Sequence, residues 1–281
     1  MTSLRLPTLA PALVLLSLSA CKTDEGGEDD GISSLGDEVQ MDADDADSST
    51  TTGMTKLDMG TGADLPGAGD GGGEDCQTVL TATVRDFQAS HPDFEYTIGT
   101  DPGIVQFMLG ADQKPVYAGN PTTPTTNGQM YFDQWYRDVA GVNQQFEVMI
   151  PLTDNMDGTY TYANSAFFPI DGAGWGNEGN THNYHFTLEL HGEFTYEGGE
   201  VFEFTGDDDL FTFVNGRLGI DLGGVHGPLN GQIDMDAMAA TLGISVGQTY
   251  TLDFFFAERH TSESNFRIDT SIACFTDPNI G

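Results

Sequence analysis

Val201-Phe202-Glu203-Phe204-Thr205-Gly206-Asp207-Asp208-Asp209-Leu210-Phe211-Thr212-Phe213-Val214-Asn215-Gly216 is the stretch that decides the fold. Its two arms, residues 201–204 and 211–214, are rich in aromatic and β-branched side chains, which suit a pleated, half-buried strand. A glycine and three consecutive carboxylates separate them. Asn215-Gly216 closes the second arm with a pair suited to a two-residue hairpin turn. The same alternation continues outward. Residues 79–87, 103–109, 146–152, 159–163, 185–191, 249–256 and 266–273 read as further strands between Gly, Asn and Asp turns, and Asp157-Gly158 reads as a second hairpin turn. Short strands at this spacing predict an all-β sandwich or barrel. Helix is scarce, and residues 235–242 are the best short candidate, with Asp234 or Asp236 near the start.

Ahead of Cys76 the composition is different. Residues 22–75 are Gly, Ser, Thr and Asp with almost no aromatic residues, and carry two basic residues against sixteen acidic ones. Such a stretch buries too little apolar surface to offset chain entropy, so residues 21–75 are expected to form a disordered acidic tether reaching roughly 40 Å. Before it, Arg5 precedes an apolar run over residues 9–20 that is too short to span a bilayer. Residues 1–20 therefore read as a signal peptide. Leu18-Ser19-Ala20-Cys21 resembles the lipobox of bacterial lipoproteins, which implies cleavage before Cys21 and lipid on that cysteine. The expected location is the bacterial cell envelope, lipid-anchored at the outer membrane or cell surface, with that lipid as the membrane contact. Cys76 and Cys274 then remain in an oxidising compartment, where a disulfide between them is expected. A net charge of -35 argues against nucleic acid or anionic lipid as a partner.

The histidines do not make a metal motif. His185 and His191 fall on one strand face with Thr187 and Glu189, His182 lies just ahead, and no HExxH-type pairing accompanies them. No nucleophile elbow or phosphate loop is present either, so an enzyme is not expected. Asp207-Asp208-Asp209 is different, because a tight turn gains little from three like charges unless a cation neutralises them. Calcium, which takes six to eight hard oxygen ligands, is the expected cation. A second polar loop over residues 257–265 lies between two apolar strands and is placed to carry recognition.

Several long motifs together are similar to a known family. They are Val84-Arg85-Asp86-Phe87 with His91-Pro92-Asp93-Phe94-Glu95; Phe132-Asp133-Gln134-Trp135-Tyr136-Arg137-Asp138 with Gly141-Val142-Asn143; and Phe167-Phe168-Pro169-Ile170-Asp171-Gly172. Gly206-Asp207-Asp208-Asp209-Leu210, Asn215-Gly216, Asp221-Leu222-Gly223-Gly224-Val225-His226 and Phe256-Ala257-Glu258-Arg259 complete the set. From about residue 81 to 272 the chain resembles the fibro-slime domain of secreted and cell-surface proteins, and its C-terminal half resembles the protective-antigen-type lectin domain. The resemblance implies a β-sandwich over residues 76–281. It also implies an Asp-Asp pair, joined by a cis peptide, that binds calcium together with a later hairpin loop. Asp207 and Asp208 match that pair, with Asp208-Asp209 as the other register, and Glu258 stands where the lectin loop supplies an asparagine. Asp209, Arg259, His260 and Asn265 are the expected ligand contacts. The implied partner is an extracellular glycan or matrix polysaccharide. The rival reading is a matrix or protein-interaction module in which calcium only stabilises loops.

Overall fold

The computed structural model describes residues 55–56 and 76–278. The expected signal peptide, Cys21 and the rest of the expected tether lie outside the described residues. In chain order the strands are β1 (Thr55–Lys56), β2 (Val79–Phe87), β3 (Gly99–Thr100), β4 (Asn143–Pro151), β5 (Thr153–Asp154), β6 (Tyr160–Asn164) and β7 (Phe186–Tyr196). They continue as β8 (Val201–Gly206), β9 (Asp209–Val214), β10 (Arg217–Leu222), β11 (Gly224–Val225), β12 (Leu229–Asp234), β13 (Gln248–Glu258) and β14 (Phe266–Thr270). Two helices join them, α1 (Gln129–Phe132) and α2 (Met235–Leu242).

Two sheets face each other. One runs β1-β4-β2-β7-β13-β9-β10 and the other β12-β8-β14-β6-β5, with a small β11-β3 pair beside them. The sequence alternation explains the packing. Leu80, Ala82 and Val84 of β2, Leu188 and Leu190 of β7, and Phe254 and Phe256 of β13 turn to one core, where they meet Phe202, Phe204, Phe266 and Ile268 of the smaller sheet. Phe167 stacks on Phe266 with ring centroids 4.4 Å apart, and Phe204 meets Phe254 edge-on at 5.5 Å. Each such ring contributes about 1.5–3 kcal/mol by leaving water.

The larger sheet has a second core on its outer face. The segment between β2 and β4 lays Ile104, Val105, Tyr117, Phe132, Trp135 and Tyr136 over Phe211 and Phe213 of β9 and Phe255 and Ala257 of β13. All six residues of β9 and the last seven of β13 are therefore buried. That double burial is why these two strands read as unbroken apolar runs rather than strict alternations.

Most expected strands are present, with ends shifted by a few residues. Residues 103–109 instead form only isolated bridges, Val105 to Tyr117 and Met108 to Arg217, because their apolar side chains serve as lid residues over the outer core. Strands β10 and β12 were not anticipated. Each carries a glycine, and a Cβ on Gly219 or Gly231 would come within 2.5 Å of the Ile233 or Ile220 side chain opposite, so close packing of the two edges replaces β-propensity there. The Asn215-Gly216 turn has φ of 52° and 66°, both left-handed, and joins β9 to β10. Helix α2 matches its expected bounds. Asp234 caps it by accepting from the Ala237 N–H at 2.9 Å, and Gly243 ends it at φ 68°. Cys76 and Cys274 form the expected disulfide, 198 residues apart, next to an N–H of Gln77 donating to the Phe275 carbonyl at 2.8 Å. In the region expected to be wholly disordered, Thr55 and Lys56 pair in parallel with Phe146 and Glu147.

Candidate functional site

The three carboxylates sit where β8 passes into β9. Gly206 must be glycine, since a Cβ there would collide with the Asn265 carbonyl and the Phe204 ring. The Asp207–Asp208 peptide is cis, as the resemblance implies. Asp207 Oδ1 accepts from the Asn265 N–H at 2.5 Å and Oδ2 from its amide at 3.0 Å. Asp208 Oδ2 accepts from the Arg259 N–H at 3.0 Å, and Oδ1 from the His226 N–H at 2.9 Å. The turn is thus stitched to the β13–β14 loop on one side and to the segment after β11 on the other.

Strand parity sends neighbouring side chains apart. Asp209 shares the outer face with Phe211 and Phe213, and Arg259 follows Phe255 and Ala257 to the same side. There Arg259 Nε and Nη2 donate to the two oxygens of Asp209 at 2.5 and 3.0 Å, and the Gly224 N–H donates to Asp209 Oδ1 at 2.6 Å. Arg259 Nη1 donates to the carbonyls of Asp93 and Thr125 at 3.0 and 2.8 Å, and its guanidinium lies 4.7 Å from the centroid of the Trp135 ring. Both residues are 0 % exposed. The expectation that Asp209 and Arg259 touch a ligand is corrected accordingly: they form an internal ion pair that anchors the outer layer to the site. For the same reason Asp208-Asp209 is not the register of the pair, since the Asp209 carboxylate is taken up by Arg259.

Asp207, Asp208 and Glu258 face the other way and have no such cation. All three are buried. Burial pushes Asp208 up to about 7, and the charge of Asp209 adds to it. Asp207 is also raised, chiefly by burial. Glu258 is held well above the ordinary carboxylate range by burial and then by Asp208. Its Oε2 has no hydrogen-bond partner, and the buried Ser264 hydroxyl lies nearby without completing a hydrogen bond.

Residues not anticipated hold the loop in place. The Glu95 N–H donates to the Arg259 carbonyl at 2.9 Å, and Glu95 Oε1 accepts from the Thr261 N–H at 2.8 Å. The Glu95 carboxylate also meets His185 at 3.0 Å and His260 at 3.3 Å. Asp93 accepts from the Trp135 indole at 3.1 Å and so fixes the ring above Arg259. Both acids lie in the quoted His91–Glu95 motif, which was the one signal for them. His260 is part-buried and its Nδ1 lies 3.0 Å from the Thr261 carbonyl, so it braces the loop. His182 pairs with Asp171 at 2.6 Å and His191 with Asp253 at 2.7 Å, and the two do not converge with His185 on one point.

Among the described residues no group of three or more His, Cys, Asp or Glu stands in metal-holding geometry. The donor chemistry nevertheless suits a hard cation: three carboxylates with no cationic side chain bonded to them, one oxygen without a hydrogen-bond partner and the Asn265 amide.

A two-sheet sandwich with a carboxylate turn at one end and a clasping loop beside it belongs to a recognisable architecture. Residues 170–276 match the family model of the PA14 domain. The chain is also 40% identical over 214 residues to protein psiR of Dictyostelium discoideum, covering 69% of this chain and 21% of that one. It is 41% identical over 217 residues to protein psiD of the same organism, covering 71% and 42%. The chain thus spans less than half the length of these relatives. Among solved structures, the PA14 sugar-binding domain of an RTX adhesin aligns at 11% identity with a TM-score of 0.27, covering 40% of this chain and 70% of that one. Epithelial adhesin 9 A domain of Candida glabrata, in complex with Galb1-4GlcNAc, aligns at 12% with a TM-score of 0.28, covering 69% and 85%.

Proposed function

We propose that this chain is a calcium-dependent carbohydrate-binding adhesion module, held at a cell envelope by lipid on Cys21. The observation that carries the reading is the set of buried carboxylates Asp207, Asp208 and Glu258, which lack an internal cation next to a pair, Asp209 and Arg259, that has one. Asp207 and Asp208 would hold the ion with Glu258, and Asn265 and the 258–265 loop would flank it. When bound, the cation supplies charge balance and coordination positions for sugar hydroxyls. The protein's own part is to hold the two aspartates in place through Asn265, His226 and the Arg259 N–H. The PA14 match and the lectin-like motifs support the same reading.

Calorimetry of the full chain is expected to show one calcium site in the micromolar-to-millimolar range typical of extracellular modules. A glycan array is expected to give signals that chelator abolishes. The rival reading, a matrix module with calcium only stiffening loops, is favoured by the way the two aspartates already stitch three segments together. It predicts calcium binding with no glycan signal and a protein partner unaffected by sugars. For the anchor, Cys21→Ser should abolish labelling by a fatty-acid analogue and release the protein from membranes.

A further inference from the structure

A cavity of about 440 Å³ adjoins the carboxylate turn between the β13–β14 loop and the segment that follows β6. Asn265 forms its shared wall, since the residue that lines the cavity is the one that binds Asp207 through both N–H and amide. The opposite wall is aromatic. Phe168 and His182 stack at 4.0 Å with their planes 6° apart, and Tyr184 meets Phe168 edge-on at 5.0 Å. Between these walls stand the exposed Ser165 and Glu263 and the buried Ser264, whose hydroxyl lacks a completed hydrogen bond. An aromatic surface beside a few fixed polar groups is the usual make-up of a small-ligand pocket, and it suits a sugar ring, which has an apolar face and a hydroxyl rim.

The charge of the cavity narrows the ligand. Glu263 lines it, Asp207 lies just behind Asn265, and Asp171 is bound to His182 on the aromatic side at 2.6 Å. No lysine or arginine lines it. With the proposed ion balancing the aspartates, a carboxylated or sulfated sugar would still meet Glu263 and Asp171 with no lysine or arginine beside them.

We propose that this cavity is a second saccharide subsite, which takes the neutral or amine-bearing unit next to the sugar at the cation and rejects acidic units. The proposal rests on the calcium-dependent reading above and extends it from one sugar to a linked pair.

The test is an array of neutral, amino and uronate- or sialate-bearing mono- and disaccharides, probed with the full chain in calcium. Neutral and amino disaccharides should bind better than their monosaccharides, and acidic ones weakly. Phe168→Ala should weaken disaccharides about tenfold, the scale of one aromatic contact, and leave monosaccharides unchanged. Glu263→Lys, at an exposed position, should shift preference toward acidic disaccharides. It keeps the test open if Phe168→Ala misfolds. A wild-type preference for acidic sugars, or an unchanged profile in Glu263→Lys, overturns the subsite and leaves the calcium reading standing. No glycan signal from wild-type protein in calcium overturns both.

Discussion

Two carboxylate sites lie side by side at the start of β9 and differ in how their charge is met. Asp209 turns outward and finds Arg259, fully buried and held by two backbone carbonyls besides. Asp208, one residue earlier, faces Asp207 and Glu258, accepts from backbone N–H groups, and feels the Arg259 charge only at a distance. The same two strands supply both sites, and alternation of side chains separates them. A buried acid either has its cation built into the fold or is left to obtain one from solution. Asp209 has its cation built in, and one residue earlier Asp208 has no cation bonded to it.

The largest expected effect comes from breaking the self-sufficient side. Arg259→Ala should cost about 3–5 kcal/mol in urea denaturation, because it strands the Asp209 charge in the interior. Arg259→Lys should lose less, keeping the charge but not the two-point contact. On the other side, calcium at a hundredfold excess over its Kd should stabilise wild-type protein by about 2.7 kcal/mol. Asp207→Asn with Asp208→Asn should remove that gain. Equal stability of wild-type protein in calcium and in chelator would erase the contrast between the two sites. In chelator, Glu258→Gln should raise stability at neutral pH by about 1 kcal/mol, since folding no longer has to bury an acid whose pKa it drives up.

A third buried acid, Asp86, has neutral hydrogen-bond donors in contact with it. Burial pushes it up to about 6, while the Asn183 amide at 2.7 Å and the Trp175 N–H at 2.5 Å pull it back. A raised carboxylate favours the protonated folded state. Its contribution is complete below about pH 4 and lost as pH rises through 6, with a slope no steeper than about 1.4 kcal/mol per pH unit. Asp86→Asn should flatten the stability profile in that window, measured by denaturation at stepped pH.

The sheets were largely legible because period-two runs and Asn-Gly or Asp-Gly turns mark them directly. The outer layer was not, since it is built from bridges, turns and one four-residue helix that leave no period in the sequence. At the site, the three acids stood out as a cluster, but which of them face each other depends on where β13 ends. Reading that strand to Phe256 leaves Glu258 and Arg259 as loop residues free to point anywhere. Its true end at Glu258 extends the alternation and sends the two side chains to opposite layers. The roles of Glu95 and Asp93 depend on contacts across more than 160 and about 40 residues, to Thr261 and Trp135, which no local pattern encodes.

The outer layer also sets how the chain can be divided. The segment matched by the PA14 family model begins at residue 170, yet β2, β4 and β6 precede it. A fragment cut there would leave β7 without β2 and β14 without β6, turning two paired strands into open edges. It would also strip the cover from Phe211, Phe213 and Phe255 and take away the Thr125 and Asp93 carbonyls that hold Arg259. The portion matched by the PA14 model is smaller than the sandwich it belongs to, and an excised piece meant to keep the site must start no later than Cys76.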